Sequence, residues 1–98
     1  MASASRFAHL GHLIGQGLQP EQMPQALKEV GLRTDDLKGF LNYMTQPERI
    51  SLVPTAMLSH WYRTTQEGIR FESDRGEFSY ARDLEAMNHR IAQELMGR

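Results

Sequence analysis

The sequence predicts an all-α fold, a compact bundle of about five short helices that spans residues 1–98 as one domain. Apolar residues recur three and four residues apart in several stretches, which is the periodicity of one face of a helix. Gly and Pro separate these stretches, at positions where they commonly end and begin helices. The hydrophobic content of 40% and the charged content of 23% are typical of a globular domain.

Two helices are predicted in the first third of the chain. Ser5 is a candidate N-cap for the first helix and Gly15 is a candidate end, whereas Pro20 suits the first position of the second helix. Gly31 follows the second helix at the C′ position, where a Gly in the left-handed conformation commonly ends a helix. The apolar residues at helical spacing are Phe7, Leu10 and Ile14 in the first helix and Met23, Ala26, Leu27 and Val30 in the second.

Two more helices are predicted in the middle of the chain. Thr34 is a candidate N-cap, and Asp35 and Asp36 favour the positive end of the helix dipole. Pro54 opens the next helix, and Gly68 is expected to end it. The apolar stripes are Leu37, Phe40, Leu41 and Met44 in the earlier helix and Met57, Leu58, Trp61, Tyr62 and Thr65 in the later one.

Residues 69–80 allow two structures. Ile69 and Phe71 alternate with polar residues, and the same alternation returns at Phe78 and Tyr80 after a turn-like SDRG, so a small β-hairpin is one prediction. The other prediction is a loop that caps the last helix at Ser79. That helix carries the longest apolar seam of the chain. This C-terminal seam consists of Tyr80, Leu84, Met87, Ile91 and Leu95.

Composition and charge disfavour several classes of protein. The 11 basic and 12 acidic residues are interspersed and give a net charge of -1, so no electrostatic attraction to nucleic acid is expected. The chain has no Cys, which removes disulfides and thiolate ligands and fits a reducing compartment. No stretch is long and apolar enough for a signal peptide or a membrane span, and we expect cytoplasmic localisation without membrane association.

The sequence carries no recognisable catalytic constellation. It lacks a Gly-rich phosphate loop, a Ser in a strand-turn-helix elbow and a His with a defined carboxylate partner, so an enzyme is not expected. His9 and His12 stand three residues apart on the first predicted helix. Two such ligands, without Cys or a nearby carboxylate, do not complete a metal site. We therefore expect neither a metal nor a cofactor.

The stretch 30–42 and the residues just before it partly resemble a helix-turn-helix, a DNA-binding arrangement of two short helices. The positions that pack between the helices are occupied by Val30, Gly31, Leu32, Leu37 and Phe40. Leu27, however, stands four residues before Gly31, where an Ala is expected. Asp35 and Asp36 lie at the start of the second helix, which would face the DNA. Their negative charges would be repelled by the phosphates. An ordinary helical hairpin is the favoured interpretation.

A winged helix is the second DNA-binding interpretation, with the helix after Pro54 as the recognition helix and residues 69–80 as the wing. The side chains able to contact bases or phosphates on that helix are Thr55, Ser59, His60, Arg63, Thr64 and Gln66. The wing would carry charges of both signs that offset one another, from Arg70, Arg75, Glu72, Asp74 and Glu77. A helix-turn-helix or winged-helix regulator is therefore the alternative function.

The C-terminal seam predicts a homodimer. Charged residues of both signs flank it, as in helices that pair with one another, and these are Arg82, Asp83, Glu85, Arg90 and Glu94. A domain of this size has a small core, and a seam of this length can exceed what one copy covers. The alternative is that the helix packs across its own bundle.

The function predicted from these properties is that of a small regulatory protein-interaction domain. In general character the chain is similar to small bacterial or phage regulators, such as anti-activators, inhibitors and adaptors, that act by occupying the surface of another protein. A transcription factor is one such partner, and no residue selects its identity. The candidate partner-binding residues are Met57, Trp61, Tyr62, Met87, Ile91 and Leu95.

Overall fold

The structure, a computed structural model, describes residues 2–98, with side chains from residue 4 onward. The α-helices of this range are α1 (Ala2–Gly15), α2 (Met23–Glu29), α3 (Leu37–Met44), α4 (Pro47–Ile50), α5 (Thr55–Asp74) and α6 (Phe78–Met96). Two short 3-10 turns, Pro20–Gln22 and Thr34–Asp36, lead directly into α2 and α3. Residues 2–98 contain no β-strand, and the predicted all-α bundle is confirmed.

The β-hairpin considered for residues 69–80 does not form, because α5 continues through Gly68 to Asp74 and α6 begins at Phe78. The prediction that Gly68 ends the helix is therefore wrong. Gly68 instead permits a close approach between the two long helices, since a Cβ added there would lie 2.9 Å from Cδ1 of Leu84. The alternation of Ile69 and Phe71 is too short to outweigh this packing.

The turn between α5 and α6 is made by Gly76, which has a φ of +79°. Its amide donates to the carbonyl of Ser73 at 3.0 Å, and the amide of Glu77 donates to the carbonyl of Glu72 at 2.8 Å. These two bonds form a Schellman motif, which satisfies carbonyl groups left open at the end of a helix. The left-handed conformation that the motif requires is accessible to Gly without steric cost.

The same device ends α2, as the sequence predicts. Gly31 has a φ of +82°, and the amide of Leu32 donates to the carbonyl of Leu27 at 2.8 Å. Both leucines contribute to the core, Leu32 as a buried residue and Leu27 as a partly buried one. An apolar contact across the turn commonly accompanies this motif, so local geometry and core packing favour the same end point.

Two predicted helix starts are wrong. Ser5 lies inside α1, which already includes Ala2, and Thr34 is the first residue of a 3-10 turn. The capping side chain near α3 is Asp36, whose Oδ2 accepts a hydrogen bond from the backbone amide of Arg33 at 2.9 Å. The short helix α4 was not predicted, because it falls in a segment with Pro at both ends that reads as a break between helices.

The core lies where α3 meets α1, α5 and α6, and its largest fully buried side chain is Phe40. The Phe40 ring meets the ring of Phe7 edge-on, with centroids 5.7 Å apart, and the ring of Trp61 at 90° and 5.9 Å. Edge-to-face pairs of this kind are favourable for aromatic rings. Trp61 is 2% exposed and Leu84 is 6% exposed, so both belong to the core.

Replacement of Gly76 by Ala is expected to lower the free energy of unfolding by about 1 kcal/mol, because an L side chain disfavours a positive φ. A Cβ at Gly76 would meet no atom within 4 Å, so this cost is backbone strain alone. Gly15→Ala is the matched control: it also adds a Cβ in open space, but at the last residue of α1 and without a positive φ. This control is expected to raise stability by up to about 1 kcal/mol.

Urea denaturation followed by circular dichroism measures both variants. Equal effects of the two substitutions would contradict the left-handed turn at Gly76.

Candidate protein-interaction surface

Most of the C-terminal seam is covered by the rest of the chain. Leu84, Met87 and Ile91 are 6%, 1% and 0% exposed, and Leu95 packs partly buried against the core. The most extensive packing between two helices is that of α6 on α5, and these helices run antiparallel as a helical hairpin. The seam thus packs across its own bundle, which was the alternative to pairing with a second copy.

Four of the six candidate partner-binding side chains lie in the core, where a second protein does not reach them. These are Met57, Trp61, Met87 and Ile91. Of the other two, Leu95 is partly buried, and Tyr62 is partly buried with its hydroxyl accepting a hydrogen bond from Nε2 of Gln66 at 3.0 Å. An interaction surface has to be sought among other residues.

Exposed apolar side chains collect at the two ends of the α5–α6 hairpin. Phe71, Phe78 and Tyr80 are 58%, 64% and 40% exposed and lie near the Gly76 turn. We call these three residues the aromatic end. Leu52 and Met96, which are 69% and 84% exposed, lie towards the opposite end.

The opposite end is held together by Arg98. Its Nη1 donates to Oγ1 of Thr55 at 3.0 Å, and its Nη2 donates to the carbonyl of Ile50 at 3.3 Å. Its Nε is 3.1 Å from a carboxylate oxygen of Glu94. These contacts join the C-terminus of α6 to the start of α5, so Leu52 and Met96 stand apart from the aromatic end.

Charged side chains of both signs border the aromatic end. The guanidinium of Arg75 lies 5.1 Å from the ring centroid of Phe71 and 3.5 Å from a carboxylate oxygen of Glu72. The amino group of Lys38 lies 4.2 Å from the ring centroid of Tyr80 and 2.7 Å from a carboxylate oxygen of Asp83. Apolar side chains with a polar rim are the usual anatomy of a protein interface.

From the sequence, Phe71 and Phe78 fit a strand pattern, and Tyr80 fits either that pattern or the start of the C-terminal seam. Their location near one turn was not predicted. Tyr80 has a signal of helical phase, because it precedes the buried Leu84 by four positions and so lies on the same face of α6. Phe78 lies six positions before Leu84 and away from that face, so no apolar periodicity of α6 identifies it. Its exposed position near the turn at Gly76 is seen only in the structure.

Helix α3, which would be the recognition helix of a helix-turn-helix, is flanked on both sides. Lys38 pairs with Asp83 of α6, and Arg90 of α6 donates to Oδ1 of Asn42 at 2.9 Å. On the other side, a Cβ added at Gly39 would lie 3.4 Å from the ring of Phe7 in α1. A helix has to present a free face to enter the major groove, and α1 and α6 occupy these faces of α3.

Polar side chains proposed for a winged-helix contact have partners within the chain. Thr55 accepts from Arg98, Thr64 donates to the carbonyl of Trp61 at 3.1 Å, and Gln66 donates to Tyr62. The wing itself is absent, since residues 69–74 are helical. The arrangement of these residues is that of a packed helical hairpin.

Two buried hydroxyl groups fix α6 against its neighbours. Thr65 was predicted on the apolar stripe of its helix, whereas Thr45 was not predicted to be buried. Thr45 and Thr65 are 0% and 1% exposed. Oγ1 of Thr45 accepts from Nη2 of Arg90 at 3.1 Å, and Oγ1 of Thr65 accepts from Nδ2 of Asn88 at 2.9 Å. Hydrogen bonds between buried groups specify one register of packing, so they orient α6 against both α3 and α5.

Neither a metal cluster nor a membrane span emerges from the described residues. Among residues 2–98, no group of three or more His, Asp or Glu side chains is placed to hold a metal ion. No helix in this range has the length and apolar character needed to cross a membrane. His9 and His12 are exposed on α1.

Comparisons of the chain with protein-family models, with curated proteins and with solved structures found no match.

The DNA-binding alternative is tested by fluorescence anisotropy with a labelled mixed-sequence duplex at low salt. We expect no binding by the natural chain, because α1 and α6 flank α3 and the exposed Asp35 stands before it. Asp35→Lys removes that negative charge and leaves the Asp36 cap in place, and we expect no gain of affinity. Micromolar binding that weakens steeply with salt would contradict this account.

Proposed function

We propose that the chain is a small regulatory protein-interaction domain of the inhibitor, anti-activator or adaptor type, which acts by occupying the surface of a partner protein. The observation that carries this proposal is the aromatic end, with three exposed aromatic side chains near one turn of the hairpin. A transcription factor is one class of partner that such a surface would suit. The proposal makes no use of catalytic chemistry.

The energetics of exposed aromatic side chains support an interaction role. Burial of a Phe side chain contributes about 1.5–3 kcal/mol, so exposed Phe71 and Phe78 leave a large favourable term unused in the isolated chain. Aromatic residues are enriched in the centres of protein interfaces, and a few anchors carry most of the binding energy there. Both phenylalanines are therefore candidate anchors.

The charges near the aromatic end favour a protein partner over DNA. Arg75 is paired with Glu72 and Lys38 with Asp83, so two nearby cations are already neutralised. DNA binding depends on unpaired cations that replace counterions along the phosphates. A mixed border instead allows hydrogen bonds and ion pairs with a partner that carries both charges.

The test is capture of partners by the tagged chain from cells that naturally express it, followed by titration calorimetry with the purified partner. The double variant Phe71→Ser and Phe78→Ser is expected to bind that partner about 30-fold more weakly, the loss of one strong interface anchor. Both side chains are more than half exposed. The variant should therefore keep its stability to within about 0.5 kcal/mol.

The matched control is the double variant Leu52→Ser and Met96→Ser, which removes two exposed apolar side chains at the opposite end. It is expected to retain the natural affinity. The proposal is wrong if nucleic acid is the main captured species, or if the two double variants bind equally well.

A further inference from the structure

The outer face of α5 carries four charged side chains in a row with alternating sign. They are Arg63, Glu67, Arg70 and Asp74, and we call them the outer stripe. Their spacing of four, three and four residues keeps them on one side of the helix. That side is opposite the buried residues Met57, Trp61 and Thr65, and all four side chains are exposed.

Within the described side chains, the outer stripe makes no ion pair. Over residues 4–98, the ion pairs within 4.0 Å involve other residues, and no side-chain hydrogen bond involves the four members of the stripe. The stripe borders a shallow depression of about 420 Å³, which Gln66 and Phe71 also line. Two cations and two anions are thus presented to solvent in a fixed order.

If two copies of the outer stripe run in opposite directions, each charge of one copy meets a charge of opposite sign on the other. Glu67 and Arg70 lie at equal distances on either side of the midpoint between Gly68 and Ile69. Arg63 and Asp74 are likewise equidistant from that midpoint, and in each pair the charges are opposite. A twofold axis through this midpoint would therefore bring every charge of the stripe opposite a charge of the other sign.

We propose that α5 pairs antiparallel with α5 of a second copy of the chain, through the outer stripe. Arg63 faces Asp74 of the second copy, Glu67 faces its Arg70, and symmetry repeats both pairs. In such an isologous interface each contact occurs twice. Leu84, Met87 and Ile91 of the C-terminal seam stay in the core, so this surface replaces the one that the sequence predicted for a homodimer.

The interaction is weak and sensitive to salt. Ion pairs between exposed side chains contribute little individually and are screened as ionic strength rises. The parallel arrangement of two copies would place like charges side by side, so the stripe selects the antiparallel one. The four residues of the outer stripe differ from those of the aromatic end, although Phe71 lines the depression beside the stripe.

Sedimentation equilibrium at protein concentrations up to several hundred micromolar tests the proposal. The natural chain is expected to dimerise at low salt, and raising the salt from about 20 mM to about 500 mM should dissociate the dimer as screening increases. A chain that remains monomeric at low salt over the whole concentration range overturns the proposal.

Charge reversal tests the register. Arg70→Glu places two carboxylates opposite each other on both sides of the axis and is expected to weaken the dimer about tenfold or more, with Glu67→Arg doing the same through two cations. An equimolar mixture of these two variants restores opposite charges and should form a heterodimer. The double variant Glu67→Arg and Arg70→Glu should dimerise as the natural chain does.

The control for net charge is Arg82→Glu, on the exposed side of α6. It changes the charge by the same amount as Arg70→Glu and should leave the dimer unaffected. Circular dichroism checks that each variant is folded. Equal weakening by Arg82→Glu and Arg70→Glu, or a mixture of Arg70→Glu and Glu67→Arg chains that fails to associate, overturns the antiparallel register.

Discussion

The close approach of α5 and α6 at Gly68 is the constraint on which the rest of the structure depends. Leu84 occupies the space that a side chain at position 68 would fill. This contact allows α6 to lie against α5 along its length, and the C-terminal seam then enters the core with Met87 and Ile91 almost fully buried. A side chain at position 68 would require the Leu84 side chain to shift.

The position of α3 follows from this hairpin. Phe40 packs on Trp61 of α5, and Arg90 of α6 reaches both Thr45 and Asn42 beside the end of α3. The helix is thereby enclosed between apolar packing on one side and polar contacts on the other. A hydrophobic core and a few buried hydrogen bonds together specify a single arrangement more strongly than either alone.

The sequence was sufficient for the fold class and for most helices, since apolar periodicity and terminal residues are local signals. Gly31 follows the end of α2 as expected, because a Gly at the C′ position and the apolar residues on both sides of it predict the same end of the helix. Gly68 and Gly76 could not be told apart in this way. Gly68 permits contact with Leu84, which is distant in sequence, whereas Gly76 makes the turn between the helices. Only the packing of α6 on α5 distinguishes these two roles.

The interaction surface was harder to predict than the core for the same reason. An apolar stripe shows that a helix has a face to bury, but not whether its own chain or another covers that face. The seam and Trp61 were expected to contact a partner, yet the bundle is large enough to bury them. Phe71 and Phe78 remain exposed near the Gly76 turn, and Tyr80 stays partly exposed although Lys38 of α3 lies over its ring.

The central claim is that Leu84 packs on Gly68 of its own chain. Nuclear Overhauser spectra of uniformly labelled protein, and of a mixture of labelled and unlabelled chains with isotope filtering, test it directly. The account predicts a cross-peak between the Hα protons of Gly68 and a methyl group of Leu84 in the labelled protein, and none between chains in the mixture. Absence of the first cross-peak, or its appearance between labelled and unlabelled chains, would contradict the account.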